Sequence, residues 1–207
     1  MRKTTAARFI EGTPAVMVDI ETLDTLPSAV CYELGALLMV FDRSTATITI
    51  QQGLHVLLDP KEQEICGGTI SASTMEWTRK TKGRSEALAE AAQTGGSVSA
   101  LHKLLSQGIN PDTPVIVNGS NFDPPILATM FSRAELDTPW SFWNVLDLRT
   151  LNFAAYFADG KDPVKGASGA SHDALDDCRR QVRILAAALG QVSGTTITVE
   201  DRSNRGP

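Results

Sequence analysis

Cysteine is scarce in this chain: three residues in 207, at Cys31, Cys66 and Cys178, with no Cys-x-x-Cys and no neighbouring histidine pair. That excludes a zinc ribbon or finger and a disulfide framework, and the odd count reads as free thiols serving as packing residues. Long apolar runs are missing as well. Stretches such as Ala36 to Phe41 fall far short of the ~20 residues that a membrane span requires. The opening Met1-Arg2-Lys3 carries no apolar h-region, so the expectation is a cytoplasmic protein that is not secreted. Basic charge is in deficit, 19 Lys and Arg against 24 Asp and Glu for a net charge of −5. A surface that attracts nucleic acid everywhere is thereby excluded. A local basic strip beside an acidic site filled by cations is not, because a bound metal reverses the local electrostatics. A phosphate-cradling Gly-x4-Gly-Lys-Ser/Thr loop is absent, since Gly67-Gly68 and Gly95-Gly96 lack its flanking residues.

What is present fits one domain over residues 1–190, with residues 191–207 as a partly disordered C-terminal extension in which Thr195 to Val199 is the one further strand candidate. Val16 to Glu21 reads as a buried strand that ends in carboxylates. Val30 to Phe41 and Thr47 to Leu58 follow, split by Asp42-Arg43-Ser44 as in a hairpin. Helical spacing then takes over across Ser73 to Lys80, Ser85 to Gln93 and Ser97 to Gln107, the last behind a serine cap. Short strands at Val115 to Val117 and Val145 to Asp147 are each followed by a helix, over Pro125 to Ser132 and Arg149 to Phe157. Ala158 to Gly169 reads as a loop. Leu175, Cys178, Val182, Leu185 and Leu189 mark one apolar stripe on a long final helix over Asp173 to Leu189. The expected fold is α/β, three antiparallel strands and then parallel ones in a mixed sheet flanked by helices.

The chemistry resides in carboxylates. Asp19 and Glu21 lie two apart on a strand, so the pleat aims both at one face and Ile20 at the other. Two acids at the end of a buried strand repel unless they share a cation or a proton, and hard oxygen donors suit Mg²⁺ or Mn²⁺. Taken alone, Asp-x-Glu describes a solvated strand end equally well. Asn118-Gly119-Ser120-Asn121-Phe122-Asp123 follows the Val115 strand and opens a helix, where Asp123 is also placed to act as a cap. Ser171-His172-Asp173-Ala174-Leu175-Asp176-Asp177 enters the last helix, where acids in a first turn also favour the helix dipole.

In order and spacing these segments resemble the histidine-bearing DEDD (DEDDh) superfamily of 3′-5′ exonucleases, a ribonuclease H-like group that includes ribonuclease T, oligoribonuclease and proofreading subunits. Its signature is Asp-x-Glu on the first strand, an Asp starting a middle helix and His-x4-Asp on a late one. Asp19, Glu21, Asp123, His172 and Asp177 match it. The stretches Ser71 to Trp77, Asn118 to Asp123 and Pro139 to Asn144 are similar to the short phage and bacterial exoribonuclease branch, exonuclease VIII-like. Two features depart from the family: Thr22-Leu23-Asp24 lacks the glycine that often follows Asp-x-Glu, and of the three aspartates after His172 only Asp177 has the family spacing.

The resemblance implies a metal-dependent 3′-5′ exonuclease that acts on the 3′ end of single-stranded RNA, or of DNA, and releases nucleoside 5′-monophosphates. Asp19, Glu21, Asp123 and Asp177 would hold two Mg²⁺ or Mn²⁺ ions per site, and His172 would act as general base. A homodimer is implied at the family level. For substrate binding the candidates are Leu23, as a wedge or a packed core residue, Asn121, and Phe122 and Trp77 as stacking faces. Arg79, with Lys80, Lys82 and Arg84, either follows the phosphate backbone or forms a solvated helix end. A non-catalytic module that binds nucleic-acid ends on the same fold is the competing reading, since fold does not fix function.

Overall fold

The computed structural model describes residues 4–165 and 173–203. Three long strands come first, β1 (Ala15–Thr22), β2 (Cys31–Asp42) and β3 (Thr47–Leu57), all antiparallel. The hairpin between β2 and β3 forms where apolar alternation stops. There the Asp42 carboxylate accepts the Ser44 N–H at 2.8 Å and its hydroxyl at 2.7 Å. β4 (Val115–Val117) and β5 (Val145–Asp147) extend the sheet in parallel on the far side of β1, and β6 (Thr198–Asp201) pairs in parallel with β3. The strand order is β5-β4-β1-β2-β3-β6, the mixed sheet the sequence led us to expect.

Eight α-helices surround it among the described residues: α1 (Thr5–Ile10), α2 (Pro60–Ile65), α3 (Ala72–Lys80), α4 (Arg84–Thr94), α5 (Val98–Gly108), α6 (Asp123–Arg133), α7 (Leu148–Asp159) and α8 (Ala174–Ser193). Ser97 caps α5 as expected, accepting the Ala100 N–H at 3.1 Å. α1 and α2 were not anticipated, because six residues are too few for a period of 3.6 to declare itself. The Asp59 cap and Pro60 at the first position were nonetheless a legible start signal for α2. α7 runs to Asp159, into the segment read as a loop; residues 166–169 of that segment lie outside the described residues. Beyond Gly190, where an extension was expected, α8 continues to Ser193 and the chain returns as β6, while residues 204–207 are not among those described. No helix of the described residues is long and apolar enough to cross a membrane.

Strand alternation sorts the apolar residues onto two faces. Val16, Val18, Ile20, Leu34 and Ala36 pack with Leu101 and Leu105 of α5 and with Ile126, Leu127 and Met130 of α6. On the other face Met17, Leu37, Met39, Ile48 and Ile50 meet Cys178, Val182 and Leu185 of α8. The two packing cysteines, Cys31 and Cys178, are buried, whereas Cys66, just past α2, is exposed rather than packed. The start of α8 lies so close on β2 that a β-carbon at Gly35 would stand 2.3 Å from the carbonyl carbon of Ala174. Only glycine admits that approach.

Candidate active site

Asp19 and Glu21 sit near the end of β1 on the face that α8 covers, opposite Gly35 and Glu33 of β2. Asp177, buried on the first turns of α8, reaches the same place. Carboxylate oxygens of Asp19, Glu21 and Asp177 lie within 4.8 Å of one another. Asp123 faces them across a cavity of about 450 Å³ lined by all four acids. It does not cap α6, because it is the first helical residue, while Phe122 occupies the cap position with no side-chain bond among the described residues. Its carboxylate lines the cavity, with the backbone N–H groups of Ile20 and of Asp123 itself against it. The segment leading to it is anchored by Asp147, whose Oδ2 accepts the N–H and hydroxyl of Ser120, each at 2.9 Å. Gly119 takes a φ of +134°, and its bare α-carbon lets the Arg149 guanidinium stack close, 3.1 Å from where a β-carbon would stand.

Three of the four acids are each held by a neighbouring side chain. Gln181 Nε2 donates to Asp19 Oδ1 at 2.7 Å, and Arg180 Nε donates to Asp177 Oδ1 at 3.2 Å. Glu21 pairs with the guanidinium of Arg84. Arg84 itself is buried, donates from Nε to the Tyr32 hydroxyl at 3.2 Å and lies 3.9 Å from the Trp77 ring centroid. Burial pushes the Asp123 carboxyl up to about 7. Burial, and next the charge of Asp123, raises Asp19 well above the usual carboxylate range. Burial also draws Arg84 down to about 10, against the attraction of Asp19 and Asp177, so it remains charged at neutral pH. Acids crowded in this way retain protons until positive charge arrives. The oxygen-only donor set of Asp19, Glu21 and Asp177, with Asp123 opposite, fits a hard divalent cation.

A model of the Rv2179c-like 3′-5′ exoribonuclease domain matches residues 14–189. The chain belongs to this family. The family is described as a 3′-5′ exoribonuclease domain, and the match spans most of the chain. No curated protein sequence matches it. Among solved structures, it is similar to cell-death related nuclease 4 (CRN-4) at a TM-score of 0.62 and 13% identity, covering 89% of this chain and 66% of that one, slightly under two thirds. The nuclease domain of 3′hExo, a DEDDh family member bound to rAMP, aligns at a TM-score of 0.55 and 16% identity over 89% of this chain and 94% of that one. At those identities the likeness speaks for the ribonuclease H-like fold.

In this exoribonuclease-family chain the four acids converge, and His172 lies outside the described residues. The substrate candidates divide. Trp77, 48% exposed, and Phe122 line the cavity. Leu23 does not: it is 1% exposed and packs with Val30, Tyr32 and Ala91, because the turn after β1 folds its side chain inward. It is the packed core residue, not the wedge. Asn121 and Arg79 are exposed and stand away from the lining, where Asn118 and Arg84 are found instead. Arg84 was grouped with a surface strip; its burial depends on how α4 docks against β2, which the local sequence does not encode. Gln181 was missed outright, and Arg149 gave no independent signal in the sequence. Gln181 had one available signal: it lies four residues after Asp177, on the same face of a helix.

Proposed function

We propose that this chain degrades single-stranded nucleic acid from its 3′ end, RNA in preference to DNA, releasing nucleoside 5′-monophosphates in the cytoplasm. The observation that carries this is the convergence of Asp19, Glu21 and Asp177 within 4.8 Å, with Asp123 across one cavity. These four would hold two Mg²⁺ or Mn²⁺ ions. When bound, such ions supply charge that acidifies water and neutralises the negative charge building on the phosphate and on the leaving 3′-oxygen. Asp123 and Asp19 would have to release protons to hold cations, so binding would strengthen as pH rises, through about 7 for Asp123 and through a range raised by burial for Asp19. Gln181 orients Asp19, and Arg180 orients Asp177. His172 takes the proton of the attacking water, a role suited to a side chain that titrates near neutrality.

The cavity favours an unpaired strand. Trp77 and Phe122 offer ring faces to splayed bases, and the hydroxyls of Thr22, Thr25, Ser73 and Thr74 along the lining supply partners for ribose hydroxyls. Arg149 at the rim supplies positive charge for the phosphate backbone. The family resemblance also supports a homodimer, for which the exposed Phe153, Tyr156 and Phe157 of α7 offer an apolar surface; sedimentation of the purified protein tests it.

The test is a 3′-labelled oligonucleotide, as matched RNA and DNA strands, incubated with Mg²⁺ or Mn²⁺. The wild-type protein releases labelled mononucleotide, faster from RNA, and Asp177→Ala does not. Equal release by both proteins refutes the site. Binding of 3′ ends without turnover, unchanged by Asp19→Ala, establishes the non-catalytic module instead.

A further inference from the structure

The catalytic acids do not account for a second buried carboxylate beside them. Glu33 of β2 is 1% exposed and lies directly opposite Glu21, which places both side chains on the α8 face. Its Oε1 accepts two bonds, from the Ala174 N–H at 2.9 Å and from His55 Nε2 at 2.9 Å. Its Oε2 is buried with no hydrogen-bond partner among the described residues. His55 stands on β3 opposite Gly35, the residue against which the backbone of Ala174 rests. Glu33, Gly35 and His55 therefore form a notch that receives the start of α8. Ala174 is the first residue of that helix, and the Asp177 N–H closes its first turn on the Asp173 carbonyl at 2.9 Å.

We propose that Glu33 and His55 are positioning residues, a carboxylate–imidazole pair that fixes the first turn of α8 and thereby sets Asp177 against Asp19 and Glu21. A free N–H at a helix start is an orphan donor, and a carboxylate at that end also meets the positive pole of the helix dipole. A neutral capping side chain would satisfy the donor alone. The charge of Glu33 adds the attraction, and His55 offsets the cost of burying it. Glu33, His55 and Asp173 are close enough to gather a cation. However, Glu33 Oε1 already accepts two N–H groups and Asp173 Oδ1 accepts the Asp176 N–H at 2.9 Å, so hydrogen bonding accounts for the cluster.

Two measurements on the full chain test this, and only the first rests on the exonuclease reading. In single-turnover cleavage of a labelled oligonucleotide, Glu33→Ala loses about tenfold or more in rate with KM changed less than about threefold, while Glu33→Gln, which keeps an oxygen at the accepting position, stays within about threefold of wild type. In amide exchange without substrate, Glu33→Ala exchanges the amides of residues 174–178 about tenfold faster, while those of Val115–Val117 are unchanged. If Glu33→Ala does not fold, His55→Ala, at a half-exposed side chain, replaces it and shifts both readouts in the same direction. Wild-type exchange at 174–178 in the folded alanine variant, Glu33→Ala or its substitute His55→Ala, overturns the proposal, as does wild-type cleavage by it. A wild-type protein that cleaves nothing defeats the exonuclease reading alone, and the exchange measurement still decides the role of the pair.

Discussion

Replacing Gly35 by alanine probes the contact on which the geometry of the site depends. The added β-carbon would stand 2.3 Å from both the carbonyl carbon and the oxygen of Ala174, and 2.5 Å from the Leu175 nitrogen. Relaxed contacts between such atoms sit at roughly 3.5 Å, so about 1 Å of movement is forced. All three obstructing atoms are backbone, and β2 is held between β1 and β3, so the first turn of α8 must give way. Overpacking of this kind costs about 1–3 kcal/mol. Losing the bond from the Ala174 N–H to the Glu33 carboxylate adds about 1–3 kcal/mol. At this chain length each kcal/mol lowers Tm by about 2–4 °C. Asp177 rides on the displaced turn, and under the proposed function a shift of that size in its carboxylate costs about 100-fold in turnover. Circular dichroism melting gives the first quantity and single-turnover cleavage at a temperature where both proteins are folded gives the second. A Gly35→Ala protein with wild-type melting and wild-type turnover would show that α8 does not rest on β2, and the account of the site would fail with it.

Three further outcomes follow from the same geometry. The raised pKa of Asp123 means that the folded protein retains a proton there that the unfolded chain has released, so stability from this group is complete below pH 3.8 and is lost as pH rises through about 7. Between pH 5 and pH 8 in EDTA the wild type should lose about 3 kcal/mol from this source. Urea titrations of Asp123→Asn should lack that share of the pH dependence, and an identical pH profile in both proteins contradicts the assignment. Arg84→Met leaves Glu21 buried without its partner, which should cost about 3–5 kcal/mol in EDTA, with part of the loss recovered when Mg²⁺ is added; equal deficits with and without Mg²⁺ mean that Glu21 does not meet the ion. Trp77→Ala removes a ring from the cavity lining and should weaken binding of a short oligonucleotide by roughly 5- to 150-fold, corresponding to about 1–3 kcal/mol of stacking. Unchanged affinity in fluorescence titrations would return Trp77 to a purely structural role.

What the chain states locally was legible without coordinates. A period of two along Val16 to Glu21 dictates that Asp19 and Glu21 share a face, and a period near 3.6 marks the apolar stripe of α8, while Asp177 was picked out by its family spacing after His172. Spacing between motifs, supported by the family resemblance, then brought Asp123 into the same set. Residues whose role depends on which elements touch were not legible. Arg84 looks like one more base in a surface strip until α4 docks on β2 and turns it onto Glu21. Leu23 and Trp77 are both large side chains close to a motif, yet the turn after β1 buries one and α3 presents the other to the cavity. Glu33 and His55 carry no pattern of their own, because Glu33 meets a backbone N–H some 140 positions further along the chain and His55 bonds to Glu33. Alternation and helical period are properties of neighbours in sequence and act before any packing exists. The protonation of the acids, the pairing of Arg84 and the seating of α8 depend on burial and contact between distant segments, and only the closed sheet with its helices in place creates these.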